Sequence, residues 1–313
     1  MSANSLSIVL SPTGGVSRLG FGSLPLQWLK NRYGSPEQGS RYIELQGFNV
    51  HYRDEGDRSK PALVLIHGIV ASLHTWDGWV QALSEHFRII RFDVPGFGLT
   101  GGARDGVYNA QRMIDVLEDL LDYLQVDEAM LAGSSLGGYI AWNFALSAPA
   151  RVRKLILLDP AGYPMKKIPW MIAAAGIPGA TWLMPIWMPR ALIAQGVKEV
   201  YGEPEKIQDG VVQRYYDLSR RPGNRLAMME IFRVLMAVNK GELHNTHERV
   251  GRLNIPVLLM WGELDRWILP EQVALWQRDL PTIEVKVYPG VGHIPMEEIA
   301  EQSAADALRF LHA

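Results

Sequence analysis

The order in which buried strands and amphipathic helices alternate constrains this 313-residue chain more than any other feature. Solid apolar runs such as PALVLIHG and FRIIRFDVPGFG predict strands that are buried on both faces of a sheet. Between such runs lie segments with helical spacing of apolar residues, for example NAQRMIDVLEDLLDYLQV. Strands that alternate with helices form a mainly parallel central sheet with helices on both faces. The sequence therefore predicts an α/β fold.

The alternation is interrupted once and is preceded by a different pattern. Residues 163–250 have helical patterns rich in Pro, Met and Trp without a buried strand, which predicts a helical cap inserted into the core. The core then comprises residues 41–162 and 251–313, and it begins with a hairpin, YIELQGFNVHYRDEGD. Residues 1–40 form an N-terminal arm, which we expect to pack on its own domain. Peripheral contact of this arm with a membrane is the alternative.

Composition removes several classes of function. The formal net charge is −2, from 31 basic and 33 acidic residues, and no basic stripe dominates, so we expect no nucleic-acid partner. The chain has no cysteine, which excludes disulfides and thiolate catalysis and is typical of a cytoplasmic protein. No stretch is apolar enough for a transmembrane helix, and residues 1–16 carry no basic residue, so we predict neither a membrane span nor a signal peptide.

The segment LAGSSLGGYI contains the pattern G-x-S-x-G at residues 133–137, between a predicted strand and a predicted helix. A sharp strand-to-helix turn strains the backbone of the central serine, and small flanking residues let the strand and the helix approach each other. The helix N-terminus also places free backbone N–H groups beside the hydroxyl. We therefore predict Ser135 as a nucleophile and Ser134 as a spacer. An ordinary serine helix cap is the alternative.

A serine nucleophile needs a base, and the base needs an acid that orients it. Ligands bind at the carboxyl ends of parallel strands, and His293 in YPGVGHIPMEE follows a strand and comes last in the order Ser…Asp…His. Asp265 in MWGELDRWILP lies beyond a buried strand, so we predict it as the acid. Asp159 in LLDPAG, at the end of the preceding strand, is its competitor. Asp93 in FDVPGFG is expected to fix a loop by accepting backbone hydrogen bonds.

A tetrahedral intermediate needs backbone donors that hold its oxyanion. We predict the N–H of Leu136, directly after the nucleophile, and the N–H of Ile69, in the loop after LVLIHG. We expect no cofactor and no metal. His244 and His247 form H-x-x-H, but the sequence shows no further ligands beside them.

Five residues are candidates for a substrate pocket. His67 precedes the glycine of a strand-end turn, and we also expect it to shape that turn. Trp170 and Trp182 lie in the predicted cap, whose Met and Trp side chains can line an adaptable apolar pocket or pack the cap's own core. The other two candidates are Trp76 and Trp267.

Several motifs, in this order, resemble those of the α/β-hydrolase family: LVLIHGIVASLHTW, RFDVPGFGLT, GSSLGG, WGELDRWILP and GVGHIPMEE. The resemblance covers residues 41–160 and 251–313. Haloalkane dehalogenases and epoxide hydrolases of this family carry aspartate at the nucleophile, where this chain has Ser135. Carbon–carbon bond hydrolases with a serine nucleophile resemble the chain more closely, but they typically have Gly-Pro-Gly soon after the HG dipeptide.

Two further groups of the family also differ from this chain. Perhydrolase-like members usually carry an aromatic residue where Ile69 stands, and prolyl aminopeptidases usually have Gly-Gly-Ser-Trp-Gly at the nucleophile. Carboxylesterases and lipases remain, and this resemblance implies hydrolysis of a small-molecule ester or lipid through a Ser-His-Asp triad and an acyl-enzyme. Hydrolysis of a carbon–carbon or amide bond by the same triad is the alternative. A ligand receptor without catalytic activity is the alternative from a different class.

Overall fold

The protein contains a single eight-stranded sheet surrounded by helices, in a computed structural model that describes residues 21–177 and 179–313. The strands are β1 Arg41–Leu45, β2 Phe48–Glu55, β3 Ala62–Ile66, β4 Arg88–Phe92, β5 Ala129–Ser134, β6 Val152–Leu158, β7 Val257–Gly262 and β8 Glu284–Tyr288. Their spatial order is β1-β2-β4-β3-β5-β6-β7-β8. The pairs from β4 to β8 are parallel, which confirms the predicted α/β class with a mainly parallel sheet.

The first two strands form the predicted hairpin. β1 pairs antiparallel with β2, and β2 pairs antiparallel with β4, so the hairpin forms one edge of the sheet. The turn uses Gln46 and Gly47, whose φ angles of 50° and 78° are both positive. A two-residue hairpin turn of this kind matches the twist of the flanking strands, and Gly47 adopts it at little cost.

Thirteen α-helices accompany the strands in the described residues. They are α1 Leu26–Tyr33, α2 Asp77–Leu83, α3 Ala110–Tyr123, α4 Leu136–Ser147, α5 Trp170–Ala173, α6 Ala180–Ile186, α7 Arg190–Val200, α8 Val211–Ser219, α9 Asn224–Lys240, α10 Thr246–Val250, α11 Val273–Asp279, α12 Pro295–Glu298 and α13 Ala300–His312. None of these helices has the length and apolar character needed to cross a membrane.

The centre of the sheet is fully apolar because its strands are covered on both faces. Every residue of β3, β4, β5 and β7 is buried, as expected for solid apolar runs. Helix α4 is buried along ten of its twelve residues, so it packs in the interior and not at the surface. The parallel strands β3 to β8 bring their carboxyl ends, and the loops that follow them, to one edge of the sheet.

Six helices, α5 to α10, lie between β6 and β7 and contribute no strand to the sheet in the described residues. We call residues 163–250 the helical segment. It contacts the loop after β8 through its backbone, since the N–H of His293 donates to the carbonyl of Val200 at 2.7 Å. The interruption of the strand–helix alternation therefore corresponds to a helical layer at the carboxyl edge of the sheet.

Helix α1 belongs to the predicted N-terminal arm. Its Leu29 is fully buried in a small cluster with Leu24, Leu99 and Leu218, so this part of the arm packs on its own protein. The remainder of the arm, residues 1–20, lies outside the described residues.

Candidate active site

Ser135 lies at the sharp turn between β5 and α4. Its backbone has φ 54° and ψ −116°, a conformation that residues other than glycine rarely adopt. Three hydrogen bonds of 3.0 Å fix this turn: Ser135 N–H donates to the carbonyl of Leu158, and the Ser135 carbonyl accepts from the N–H groups of Tyr139 and Ala161. The surrounding structure therefore holds the serine in a strained conformation that it would not adopt alone.

The two glycines of the serine motif are required by close backbone contacts. A Cβ atom at Gly133 would collide with the backbone of Gly137, and a Cβ atom at Gly137 would collide with the carbonyl oxygen of Ile66. Strand β5, the turn and helix α4 thus approach each other more closely than a larger residue permits. The predicted strained turn with small flanking residues is confirmed.

His293 and Asp265 meet in the loops that follow β8 and β7. Nδ1 of His293 lies 2.7 Å from Oδ2 of Asp265, and both side chains are buried. The other carboxylate oxygen of Asp265 accepts from the N–H groups of Trp267 and Ile268, at 2.7 Å and 3.0 Å. The indole of Trp267 also stacks on the imidazole. These contacts fix the ring, while Nε2 of His293 has no hydrogen-bond partner among the described residues.

Asp159 brings a second carboxyl group to the same place. It follows β6 with a φ of 45° and is fully buried, and its Oδ1 accepts from the N–H of Gly262 at 2.9 Å. One ligand atom from each of Asp159, Asp265 and His293 lies within 4.8 Å of the others. Burial and then the nearby Asp265 carboxylate raise the pKa of Asp159 well above its usual range, although the Gly262 hydrogen bond acts in the opposite direction.

A cleft of about 540 Å³ separates these loops from the helical segment. Both Ser135 and His293 line it, together with the described residues Gly68, Ile69, Val70, Ala71, Ser134, Met171, Ile193, Gly196, Val197, Val200, Tyr215, Trp267, Ile294 and Met296. No aspartate, glutamate, lysine or arginine is among these residues. The uncharged walls favour an apolar group beside the serine.

The residues predicted to hold an oxyanion lie on either side of the serine turn. Leu136 is the first residue of α4, so its N–H has no partner inside the helix. Ile69 lines the cleft next to Gly68, where an added Cβ atom would lie 3.0 Å from the Cβ of Ser135. Val70 follows with a φ of 60°, which is strained for a β-branched residue. Backbone strain thus marks the ends of β3, β5 and β6 together, as it often does at functional sites.

Of the five predicted pocket residues, Trp267 lines the cleft, whereas His67 does not. His67 is fully buried below it, with Nδ1 2.7 Å from the carbonyl oxygen of Gly68. Burial lowers the pKa of His67, and its Nε2 accepts from the N–H of Val94 at 2.9 Å, as only a neutral imidazole can. His67 therefore shapes the turn after β3 and is not a pocket residue.

The other three predicted pocket residues also lie elsewhere. Trp76 is completely buried and packs edge-on against Trp79, so it fills the core. Trp170 is on the surface, where its indole N–H donates to the carboxylate of Glu199. Trp182 is 80% exposed on α6. The prediction for these three was wrong because an aromatic residue type does not reveal which face of its helix or loop will meet the cleft.

The sequence interpretation missed Glu298, which joins the base to the helical segment. Its buried carboxylate accepts from the N–H groups of Gly292 at 2.8 Å, Gly202 at 3.0 Å and Glu203 at 2.9 Å. Gly292 precedes His293 directly, so Glu298 ties the loop of the base to the end of α7. The signal was present in HIPMEE, but an acid at a helix is usually a solvated residue.

The chain is similar to one known protein family and to several known proteins. Residues 61–299 match the model of a family described as alpha/beta hydrolase fold. A 2-hydroxy-6-oxononadienedioate/2-hydroxy-6-oxononatrienedioate hydrolase of Paraburkholderia phymatum is 30% identical over 87% of this chain and 95% of its own length. An uncharacterized hydrolase of Bacillus subtilis is 27% identical over 83% of this chain and 93% of its own length.

Among solved structures, one similar chain is the 2-hydroxy-6-oxo-6-phenylhexa-2,4-dienoate hydrolase from Rhodococcus sp. strain RHA1. It superposes with a TM-score of 0.74 at 21% identity, over 88% of this chain and all of the other chain. This similarity extends over the sheet and beyond it to most of the described residues, and it supports the same overall fold.

Proposed function

The chain belongs to the alpha/beta hydrolase fold family, and on that basis we propose that it is a serine hydrolase that attacks a carbonyl carbon through Ser135. The observation that carries the proposal is the single cleft shared by a strained serine and a histidine whose Nε2 has no partner among the described residues. A serine in such a turn is exposed to the substrate, and the free Nε2 can accept its proton.

The reaction follows from these positions. Nε2 of His293 removes the hydroxyl proton while Ser135 Oγ bonds to the carbonyl carbon, and the N–H groups of Leu136 and Ile69 stabilise the oxyanion. The imidazolium then gives its proton to the leaving group as the tetrahedral intermediate collapses to an acyl-enzyme. Water, deprotonated by His293, attacks the acyl carbon and releases the acid. Asp265 accepts from Nδ1–H throughout and stabilises the imidazolium.

The bond that is broken is, in our proposal, a carbon–carbon bond next to a ketone. The 2-hydroxy-6-oxo-dienoate compounds in the relatives' names have such a ketone. When the proton of their 2-hydroxyl group moves to carbon 5, the 2-keto group and its conjugated alkene can take up the electron pair that leaves the cleaved bond. The relatives support this reaction better than the ester hydrolysis expected from the sequence, although HGIVASLHTW lacks the Gly-Pro-Gly run. Ester hydrolysis is therefore our second candidate.

A specific feature of the cleft favours that second candidate. A dienedioate carries two carboxylates, and a buried carboxylate needs a cationic or hydrogen-bonding partner. The described lining residues include no lysine or arginine. An apolar ester, or a dienoate whose acyl part is apolar, matches these walls better than a dicarboxylate.

The helical segment acts as a cap in this proposal. Met171, Ile193 and Val197 from α5 and α7 line the cleft opposite Ser135, so this layer covers the acyl group and excludes water. The contact of His293 with Val200 couples the position of the cap to the position of the base.

The function is tested in two stages. A fluorophosphonate probe should label the parent protein and Ser147→Ala, a variant at the far end of α4, but not Ser135→Ala. Parent enzyme that has not been exposed to the probe is then assayed with 2-hydroxy-6-oxo-6-phenylhexa-2,4-dienoate and with p-nitrophenyl esters from acetate to palmitate. Faster turnover of the dienoate supports carbon–carbon cleavage, and turnover of esters alone favours the second candidate. Labelling that persists in Ser135→Ala overturns both.

A further inference from the structure

The two carboxyl groups behind His293 are too close and too buried for both to carry a charge. Asp159 is completely buried and Asp265 is 3% exposed. One oxygen atom of each group lies within 4.8 Å of one oxygen atom of the other, in a region where water cannot screen repulsion. Two carboxylates in such a position share one proton, because removing the second proton would create two unscreened like charges.

The hydrogen bonds favour one of the two groups as the site of that proton. Asp265 accepts from the N–H groups of Trp267 and Ile268 and from His293, so donors stabilise its negative charge on both oxygens. Asp159 accepts only at Oδ1, from Gly262, and no described N–H or O–H group donates to its buried Oδ2. The more hydrogen bonds a carboxylate accepts, the more its negative charge is stabilised. The proton therefore belongs on Oδ2 of Asp159.

Two other titratable groups face Asp159, and neither changes this assignment. Glu298 is a further negative charge at this edge of the sheet, which adds to the repulsion against an ionised Asp159. Its own charge is stabilised by the N–H groups of Gly202, Glu203 and Gly292. Tyr288, at the end of β8, is neutral because burial raises the pKa of its hydroxyl.

We propose that Asp159 is a positioning residue, a neutral carboxyl group whose Oδ2–H donates a hydrogen bond to Asp265 and holds that carboxylate against Nδ1 of His293. This role rests on the proposed function, in which Asp265 orients the base. Asp159 also joins β6 to β7, since its own N–H donates to the carbonyl of Met260 at 3.0 Å. A donor anchored on two strands restricts the rotation of the Asp265 side chain.

The decisive variant is Asp159→Asn, because an amide has the shape of the protonated acid and keeps one acceptor for Gly262 and a neutral donor for Asp265. We expect kcat/KM within about threefold of the parent value, with the acid limb of its pH profile unmoved. The same change at the neighbouring carboxyl, Asp265→Asn, should lower kcat by about 10³- to 10⁴-fold, because it favours the wrong imidazole tautomer.

A third variant tests whether Asp159 positions Asp265 or whether its site simply tolerates substitution. Asp159→Ala removes the donor, so we expect kcat to fall by about 10- to 100-fold with KM nearly unchanged. The acid limb should move to higher pH, because Asp265 without its donor holds the imidazolium more strongly. Asp159→Ala with the parent's kcat and pH profile would overturn the positioning role. Asp159→Asn that loses activity as Asp265→Asn does, or whose acid limb moves to lower pH, would show that Asp159 is ionised.

A measurement on the resting enzyme makes this test independent of turnover. The infrared spectrum of the parent at neutral pH should contain the carbonyl band of a protonated carboxyl group, and the spectrum of Asp159→Asn should lack that band. If the band is absent from the parent, or unchanged in Asp159→Asn, Asp159 does not hold the proton. Failure of the proposed function would instead appear as missing fluorophosphonate labelling of Ser135, whatever the infrared result.

Discussion

The described residues include two groups of a serine, a histidine and an aspartate, and one of the two has the features of a catalytic site. We call the first group, Ser40, His51 and Asp93, the closed set. In it, Ser40 Oγ lies 2.8 Å from His51 Nε2, and His51 Nδ1 lies 2.7 Å from Asp93 Oδ2. In the open set, formed by Ser135, His293 and Asp265, the histidine contacts the aspartate at the same distance of 2.7 Å. Its other nitrogen has no partner among the described residues.

The complete chain of hydrogen bonds belongs to the closed set, whose three members are not among the residues that line the cleft beside Ser135. Ser40 is 4% exposed, and its oxygen also accepts from Nε of Arg53 at 3.1 Å, so each polar atom of the closed set is engaged. Ser135 instead has a strained backbone and shares a cleft with its histidine. A catalytic serine is thus recognised by unused hydrogen-bonding capacity beside a cavity, because catalytic contacts often form only when substrate is bound.

The largest expected difference between the sets is in activity. Ser135→Ala should lower kcat by about 10⁴- to 10⁶-fold, the range for loss of a serine nucleophile. Ser40→Ala should keep kcat within about twofold while it lowers the free energy of unfolding by about 1–3 kcal/mol, because His51 and Arg53 lose a buried partner. Steady-state kinetics and urea unfolding on both variants measure this. Equal losses of activity, with both proteins folded, would contradict the distinction.

Asp93→Asn should cause the next largest effect, which is a loss of stability. Asp93 is fully buried and accepts from His51 and from the N–H groups of Leu73 and Leu99, at 2.8 Å and 2.6 Å. Burial alone would raise the pKa of Asp93, but the electrostatic interaction and the hydrogen bond with His51 hold that pKa well below its usual range. Breaking a buried pair by removing one partner costs about 3–5 kcal/mol.

Urea unfolding measures this loss, with the exposed Asp209→Asn as control, for which we expect a change within about 0.5 kcal/mol. If Asp93→Asn is as stable as the control, the carboxylate of Asp93 does not stabilise the closed set.

The open set was predictable from the sequence because each member stands beside a recognisable strand end. GSSLG, GELD and GVGH each follow an apolar strand, and parallel strands bring their ends together. The closed set was not predicted as a unit, because Ser40 precedes β1, His51 lies within β2 and no motif spacing relates them. The loop role of Asp93 was predicted from its turn chemistry and is confirmed by the hydrogen bonds from Leu73 and Leu99.

Burial and side-chain direction account for what the sequence did not reveal. Asp159 could be named as a competitor of Asp265, but the two carboxyl groups differ in the donors around them, and those donors are set by loop geometry. Trp76 and Trp170 show the same limit, since periodicity does not say whether an aromatic ring fills the core, lines a cleft or faces solvent. The helical segment was predicted as helical, but its hydrogen bonds to the loop of His293 depend on backbone contacts without a residue signature.

A matched pair of glycine variants compares the backbones of the two sets. Gly137→Ala introduces a Cβ atom that collides with the carbonyl oxygen of Ile66, whereas the Cβ position of Gly39, next to Ser40, has no heavy atom within 4 Å. We expect kcat/KM of Gly137→Ala to fall by about 10²-fold, because a small displacement of the nucleophile removes its alignment. Gly39 has a φ of 79°, so Gly39→Ala should cost about 1 kcal/mol of stability and leave activity unchanged.

Assays of kcat/KM and urea unfolding on both glycine variants distinguish these outcomes. An active Gly137→Ala protein would mean that the turn can relax without moving Ser135, and the difference between the two backbones would then have no catalytic meaning.

The smallest expected effect is that of low pH, which should change protein stability through the closed set and kcat/KM through the open set. Burial, more than the nearby Arg214 and Arg53, lowers the pKa of His74, beside the closed set, to about 3. The unfolded chain therefore binds a proton between about pH 6.5 and pH 3 that the folded protein does not, so stability falls as pH falls through this window. His74→Gln removes this proton, and its stability should fall by about 1 kcal/mol less than that of the parent between pH 6 and pH 5. The acid limb of kcat/KM should be the same in both proteins, because His74 is outside the open set; a shifted limb would show that the two sets are coupled.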